Sequence, residues 1–266
     1  MSVISSSIVM FFTSYLVVFD VNAAADQPWQ DQQYITDSFV KISLRREYDT
    51  NAKLDMIRKW RQPIRAYVQS DLGNSELQKE MVAVQLNHLA SITGHRAGFA
   101  KDVKKANLIV VFILKKDMKD SIKSLGLYDG GSDEILKDAA CIANVKTAGK
   151  GEIVSAIIHI PVDSTRSSGL FLNCVVEEIT QVMGLLNDSA DVYPSIFNDR
   201  SIDGYLSGLD YVLLKLLYHP KIKPGMREDK VRAIVSEIFV ELDDANLISD
   251  ASTKVRPNSM RIWSGE

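Results

Sequence analysis

The segment that most constrains the fold runs from Cys174 to Asp188 and reads C-V-V-E-E-I-T-Q-V-M-G-L-L-N-D. With about 100° between successive helical residues, its polar members gather in an arc of roughly 160° and its apolar members lie opposite. The polar arc holds Glu177, Glu178, Thr180, Gln181 and Gly184, and the apolar arc holds Leu172, Val175, Ile179, Val182, Met183 and Leu186. We therefore predict an amphipathic helix over about 168–185 that packs one side against another layer of the protein.

The polar side of this helix has two interpretations. The simpler one is a solvated surface, because a charged face is what most surface helices present to water. Gly184 argues against it: a glycine in the last helical turn costs about 1 kcal/mol relative to alanine. Its presence therefore indicates that something requires this turn.

The rest of the chain predicts an α+β fold. Strands are predicted at 38–48, 63–69, 107–114 and 152–160, and helices at 52–59, 74–92, 117–125, 133–141, 204–218 and 227–246. Gly94 is expected to end the helix that Asn74 or Ser75 begins. Strands dominate the first half and helices the second, which is typical of a mixed sheet layer followed by a helical half. We expect one domain over 26–248 and a polar C-terminal tail over 249–266.

The first residues resemble an export signal. Residues 8–19 are largely apolar and V-N-A-A-A follows at 21–25, which predicts a cleaved signal peptide over 1–25. The apolar run is shorter than the roughly 20 residues that span a bilayer, so we expect no transmembrane segment in the mature chain. An uncleaved anchor or a buried strand is the alternative. We expect a periplasmic or secreted protein, and the net charge of −3 gives no case for nucleic acid or an anionic membrane as a partner.

The sequence contains two cysteines, Cys141 and Cys174. An oxidising compartment favours a disulfide between them. Such a bridge would contribute about 3–4 kcal/mol by constraining the unfolded chain, and it would fix the start of the 168–185 helix. Two buried free thiols are the alternative.

The motif helix resembles the zinc-binding helix of zincin proteases, H-E-x-x-H-x-x-G-x-x-H, with its ligands replaced. Glu177 stands at the first histidine, Glu178 at the general base and Gln181 at the second histidine. Gly184 keeps its place, and Asn187 or Asp188 fills the third ligand position. The resemblance implies a metalloprotease-type fold in which zinc chemistry has been lost.

The sequence that follows the helix resembles the metzincin branch of these proteases. P-S-I-F-N at 194–198 is similar to the S-I/V-M-x-Y turn beneath the metal, with Phe197 at the methionine position. L-S-G-L-D-Y-V-L-L-K-L-L-Y at 206–218 is similar to the helix after that turn, L-x-x-x-D-x-x-A-x-x-x-L-Y. The resemblance implies a zincin-like mixed sheet with an active-site-type helix and a closing helical half.

More specifically, the chain resembles a family of exported bacterial proteins known as domain of unknown function 2927. That family has a Cys before E-E-x-x-Q-x-x-G-L-x-N-D, then P-S-x-F-N-D and L-Y-x-P-x-x-x-P-G-M. The matching residues are Cys174, Glu177, Glu178, Gln181, Gly184, Leu185, Asn187, Asp188, Pro194, Ser195, Phe197, Asn198, Asp199, Leu217, Tyr218, Pro220, Pro224, Gly225 and Met226. The match is dense over about 140–226 and loose over 35–226. It implies that E-E-x-x-Q belongs to the family, which has no established activity.

Candidate site residues follow from these resemblances. Glu178, Glu177 and Gln181 are the candidate catalytic or binding residues, supported by Gly184, Asn187, Asp188, Phe197, Asn198 and Asp199. Zinc is not expected, because amides are poor ligands for it. The four histidines, His88, His95, His159 and His219, have no ligand-pair spacing. We expect no cofactor; a hard cation such as calcium, held by Glu177, Glu178, Asp188 and Asp199, is the alternative.

Three functions remain open. The first is a pseudoprotease-like envelope protein that binds peptide or another envelope protein in its cleft. The second is a hydrolase, in particular a peptidase, centred on Glu178 and acting without metal. The third is a structural envelope component whose polar helix face is only a surface.

Overall fold

The computed structural model describes residues 28–45, 55–125, 133–198, 200–201 and 204–266. Its strands are β1 (Lys59–Trp60), β2 (Ile64–Ser70), β3 (Ala97–Phe99), β4 (Leu108–Ile113), β5 (Ile142–Ala148) and β6 (Glu152–Pro161). Its α-helices are α1 (Gln32–Leu44), α2 (Ser75–Thr93), α3 (Lys115–Ser124), α4 (Asp133–Asp138), α5 (Val162–Ser167), α6 (Phe171–Gln181), α7 (Gly208–Tyr218), α8 (Glu228–Asp244), α9 (Ala251–Lys254) and α10 (Met260–Ser264). The predicted α+β class is confirmed.

The described strands form one mixed sheet. Strands β3, β2, β4 and β6 lie side by side in this order and are parallel. Strand β1 pairs in parallel with the first residues of β6, before the residues that pair with β4. On the other side of β6, β5 runs antiparallel over almost its whole length. The L-I-V-V-F-I run of β4 is mostly buried, as expected for a parallel strand covered on both faces. The strands predicted at 63–69, 107–114 and 152–160 are confirmed.

The helices cover this sheet and build the second half of the core. Helix α2 begins at Asn74, whose side chain accepts a hydrogen bond from Leu77 N, and ends at Gly94 in the left-handed conformation, as predicted. Helix α7 is buried over nearly its entire length. Helix α6 packs against β6, α2 and α5. The motif helix is therefore an interior element of the fold.

Two predicted elements are wrong. The strand predicted at 38–48 is absent from its described part, because α1 covers 32–44; residues 46–48 lie outside the described residues. The alternation that suggested a strand coexists with a helical spacing, since Ile35, Phe39 and Ile42 all lie on the buried side of α1. The helix predicted at 52–59 is also absent from its described part, where 55–58 are irregular and Lys59 begins β1.

The ends of the chain also differ from expectation or cannot be compared. Residues 249–266, expected as a polar tail, contain α9 and α10 and bury Ala251, Val255 and Met260. The signal peptide predicted at 1–25 lies outside the described residues. Within the described ranges, no helix combines the length and the apolar character needed to cross a bilayer.

Candidate functional site

A disulfide fixes the start of the motif helix. Cys174 in the first turns of α6 is bonded to Cys141, as predicted, and Cys141 directly precedes β5. The bridge therefore connects the antiparallel strand β5 to the helix that carries Glu177 and Glu178. These two elements cannot separate at this end without breaking a covalent bond.

The polar side of α6 is covered by protein. Glu178 is 5% exposed and Gln181 is 7% exposed, while Glu177 is half-buried. Thr180 is wholly buried, and its hydroxyl oxygen accepts a hydrogen bond of 2.9 Å from Nε2 of Gln85 on α2. The interpretation of this arc as a solvated face is therefore wrong, since neighbouring elements rather than water contact most of it.

Gln181 and Asp188 form a direct pair. Nε2 of Gln181 donates a hydrogen bond of 2.9 Å to Oδ1 of Asp188. These residues stand at the second and third ligand positions of the zinc-protease pattern. Asn187, the other candidate for the third position, instead holds α1: its N–H donates to Ile42 O and its amide donates to Lys41 O. The structure thus brings Asp188 to the site and gives Asn187 an anchoring role.

Gly184 is required by a close approach of two chain segments. Its φ of +119° is one that residues with a side chain rarely adopt, and a Cβ at this position would collide with the carbonyl oxygen of Arg58. The carbonyls of the two residues that precede Gly184 each accept a side-chain hydrogen bond. Trp60 Nε1 donates to Val182 O at 2.7 Å, and the Tyr218 hydroxyl donates to Met183 O at 2.9 Å. The glycine therefore lets the chain leave α6 against β1.

The turn at 194–198 lies behind the motif and is anchored internally. The Tyr193–Pro194 peptide bond is cis. Phe197 is wholly buried, and the Asn198 amide donates to Val192 O at 2.9 Å and to Ala190 O at 3.2 Å. Ser189 N donates to Phe197 O. Phe197 and Asn198 therefore support the loop after α6. Asp199 lies outside the described residues.

Asp210 anchors this turn and was not singled out from the sequence. One carboxylate oxygen accepts from the Ser195 hydroxyl at 2.6 Å, and the other accepts from Ile196 N at 3.0 Å and Ser207 N at 2.8 Å. The signal was present in S-G-L-D at 207–210, because Ser207 and Asp210 form a capping box at the start of α7.

Burial dominates the electrostatics of Asp210. Loss of water raises its pKa to about 6, and the hydrogen bonds from Ser195, Ser207 and Ile196 oppose that rise. Oγ of Ser207 lies 2.7 Å from Pro194 O and 2.9 Å from the carboxylate. Its single hydrogen can be given to one of them, so a proton on Asp210 could complete the other contact.

The four histidines lie elsewhere, each with its own contact. His88 contacts Val255 O, His95 contacts Gln62 O, His159 contacts the Ser121 hydroxyl and His219 contacts Glu241. Burial lowers the pKa of His159 to about 4. Across the described parts of the chain, no cluster of three or more His, Cys, Asp or Glu side chains has the arrangement of a metal site.

Comparison with known proteins identifies a family and no activity. A family model described as a protein of unknown function, DUF2927, matches residues 32–237. No curated protein matches the chain, and no solved structure does. The match covers the sheet, α6, the 194–198 turn, α7 and part of α8.

Proposed function

This chain belongs to the DUF2927 family, and from that premise and the geometry around α6 we propose that it is a zincin-like binding protein of the bacterial cell envelope. In this proposal it holds an extended peptide segment of an envelope protein along the outer edge of β5, beside Glu177 and Glu178. It does so without zinc and without cutting the peptide.

The order of elements supports the zincin-like part of the proposal. Strand β2, helix α2, strands β3, β4, β5 and β6, and then α6 come in this order along the chain, with α3 and α4 after β4 and α5 after β6. The order of the strands and the motif helix is similar to that of the catalytic half of a zincin. The 194–198 turn and α7 come next, in the order of a metzincin turn and closing helix. Fold analogy alone is a weak argument for activity, so the function depends on the site.

The observation that carries the binding proposal is the edge of β5. Among the described strands, β5 pairs with β6 alone, so its other edge has backbone N–H and C=O groups that no described strand takes up. An extended peptide can add to such an edge as a further strand, using main-chain hydrogen bonds for affinity. The Cys141–Cys174 bridge holds this edge at the start of α6.

The chemistry of α6 supports binding over zinc hydrolysis. Gln181 stands at a histidine position of the zinc pattern and is a neutral amide whose N–H₂ group already donates to Asp188. Zinc prefers thiolate, imidazole and carboxylate ligands. This part-buried hydrogen bond holds the two side chains in fixed positions, and fixed side chains favour recognition of a peptide.

Export is part of the same proposal. A disulfide between Cys141 and Cys174 persists in an oxidising compartment such as the periplasm or the outside of the cell. The apolar segment at 8–19 would then serve as a signal that is removed.

A peptidase centred on Glu178 is the second candidate, because this glutamate is only 5% exposed and stands at the general-base position, where a shielded carboxyl favours proton transfer. One experiment separates the candidates. A mixture of peptides of random sequence is incubated with the wild-type protein; retained peptides are measured by affinity capture, and cleavage is followed by mass spectrometry.

Three variants show which candidate function is correct. Adjacent strand residues point their N–H groups to opposite edges, so one of Asn144→Pro and Val145→Pro blocks the outer edge of β5 while the other breaks a bond to β6. The variant that keeps the wild-type melting temperature is expected to lose peptide retention at least tenfold, and Glu178→Gln to keep it. Cleavage that Glu178→Gln abolishes would make the protein a hydrolase. If peptides are neither retained nor cleaved, the result would favour a structural component.

Metal content by elemental mass spectrometry on the same sample tests for a zinc or calcium site.

A further inference from the structure

The sheet edge formed by β3 has a charge opposite to that of the whole chain. We call residues 61–65 and 95–105, which run beside each other there, the basic edge. Its fixed cations are Arg61, Arg65, Arg96, Lys101, Lys104 and Lys105, and its one carboxylate is Asp102. The local net charge is therefore +5, whereas the whole chain carries −3. His95 does not contribute to this charge at neutral pH, because burial lowers its pKa.

Backbone contacts make these two segments one surface. Ile64 N donates to Arg96 O at 2.9 Å, and Arg65 pairs with Gly98 in the parallel register of β2 and β3. Nε of Arg65 donates to Lys105 O at 2.8 Å, which brings the turn after β3 back against β2. The cations therefore lie along one end of the sheet and are not scattered over the molecule.

Most of these cations are not neutralised by neighbours. In the part of the chain that the structure describes, Lys105 is the member of the set that lies within 4.0 Å of a carboxylate, at 3.8 Å from Asp102. The same carboxylate accepts from Lys104 N. The side chains of Arg96 and Lys104 are exposed. The positive potential of the edge is therefore available to a partner.

Two exposed apolar side chains stand among the cations. Phe99 is 39% exposed and Val103 is 41% exposed. Lys79 of α2 places its ammonium group 5.7 Å from the centre of the Phe99 ring, which adds a further cation to the same end of the sheet. Exposed aromatic and aliphatic side chains framed by lysines and arginines are what a surface needs to contact both headgroups and acyl chains.

We propose that the basic edge binds the surface of a bilayer that contains anionic lipids. The cations would meet the lipid phosphates, and Phe99 and Val103 would enter the boundary between headgroups and acyl chains. A soluble polyanion without apolar groups, such as a sulfated polysaccharide, would engage the cations equally well but would leave the two apolar side chains without a partner. This inference does not depend on the proposed peptide site, since β3 and β5 lie at opposite ends of the sheet.

A simpler role must be separated from this one. Lysines at the edge of a sheet discourage pairing with another chain, and β3 is an edge strand among the described strands. Charge of either sign is sufficient to protect the edge, and no lipid is involved. A change of sign therefore distinguishes the two roles, because it leaves protection intact and abolishes attraction to anionic lipid.

The test is sedimentation of the full chain with vesicles. One set of vesicles contains phosphatidylglycerol and phosphatidylcholine in equal parts, and the other contains phosphatidylcholine alone. The readout is the ratio of the two partition coefficients, because any binding through the apolar segment at 8–19 would contribute equally to both. Each basic residue near an anionic surface changes binding about fivefold. The Arg96→Glu/Lys104→Glu double variant should therefore lower the ratio about 25-fold or more. Lys230→Glu, an exposed lysine on α8, is the matched control and should lower it less than about threefold, since it lies away from the edge.

A second variant tests the apolar part. Phe99→Ser should weaken binding to the anionic vesicles several-fold and leave binding to heparin, a soluble polyanion, unchanged. Equal binding of wild type and the Arg96→Glu/Lys104→Glu variant to anionic vesicles would overturn the proposal. So would binding to heparin as tight as to vesicles with no effect of Phe99→Ser, which would assign the edge to a soluble polyanion. Melting temperatures within about 2 °C of wild type, as expected for surface changes, would show that the variants are folded.

Discussion

The Ser195 hydroxyl donates a 2.6 Å hydrogen bond to the wholly buried carboxylate of Asp210, and this pair joins the 194–198 turn to the start of α7. The same carboxylate accepts from two backbone N–H groups. One carboxylate thus accepts hydrogen bonds both from the turn and from the start of α7. Asp210 is a positioning residue, so its substitution should lower the free energy of unfolding more than it weakens peptide binding.

Asp210→Ala is expected to lower the free energy of unfolding at pH 7 by about 3 kcal/mol or more. It leaves the buried Ser195 hydroxyl, the buried Ile196 N–H and the part-buried Ser207 N–H without an acceptor, and each buried group of this kind costs about 1–3 kcal/mol. Asp210→Asn keeps one acceptor oxygen and should lose about half as much. Urea denaturation measures both, with the exposed Asp244→Ala as control, expected within about 0.5 kcal/mol of wild type. A loss under about 1 kcal/mol in Asp210→Ala would show that water replaces the carboxylate.

Asp210 and His159 should give opposite contributions to the pH dependence of stability. The pKa of Asp210 is raised from 3.8 to about 6, so the folded state holds a proton that the unfolded state releases, and this contribution is lost as pH rises from about 4 to 6. The pKa of His159 is lowered from 6.5 to about 4, so its contribution is lost as pH falls from 6.5 to 4. Each amounts to about 3 kcal/mol.

These contributions can be separated by substitution. Between pH 4 and 6, the stability of His159→Gln should fall relative to wild type as pH rises, and the stability of Asp210→Asn should rise relative to wild type. Denaturation curves at half-unit steps of pH measure the two differences. Parallel profiles for wild type and both variants would mean that neither group titrates as its burial implies.

Gly184→Ala should be among the most destabilising glycine substitutions. The left-handed φ costs about 1–3 kcal/mol for alanine, and the collision with Arg58 O adds an overpacking cost of about 1–3 kcal/mol. Gly94→Ala is the matched control, because Gly94 has a φ of +70° and no atom within 4 Å of an added Cβ. We expect a loss of at least about 2 kcal/mol for the first and about 1 kcal/mol for the second, measured by urea denaturation. Equal losses would mean that the approach of Arg58 relaxes freely.

Removal of the disulfide should cost stability and peptide retention together. The bridge joins residues 33 positions apart, for which the chain-entropy account gives about 3–4 kcal/mol. The Cys141→Ser/Cys174→Ser variant also releases β5 from α6. Its peptide retention should fall even at temperatures where its circular dichroism matches that of the native protein. Unchanged retention would place the peptide away from β5.

Some of this structure could be predicted from the sequence, and the reasons differ from element to element. The Cys141–Cys174 pair was predictable because the chain has no other cysteines. A special role for Gly184 was predicted, but for a different reason: the structure places it three residues beyond the end of α6 and not in the last helical turn. The requirement comes from Arg58, which could not be predicted because the two residues are remote in sequence. The burial of Glu178 and Gln181 was not predictable, because helical periodicity shows which residues share a side and not what covers that side. Gln85 of α2 and Asp188 provide part of that cover.

The basic edge was missed for a related reason. A net charge of −3 averages over the molecule, and it concealed a +5 segment that only the pairing of β2 with β3 gathers into one surface. Helix α1 was mistaken for a strand because its sequence satisfies both periodicities. Packing against α8 and α7 favours the helical conformation of this segment.

The strand order also sets a length. From β3 to β5 the sheet takes four inter-strand steps, through β2, β4 and β6, and at about 4.8 Å a step this is about 19 Å. A protein attached to a membrane by β3 would present β5 at roughly that height above the lipid phosphates. Such a spacing exceeds the Debye length of about 8 Å at physiological salt. A peptide on β5 would therefore be held close to a charged membrane and yet be largely screened from its field.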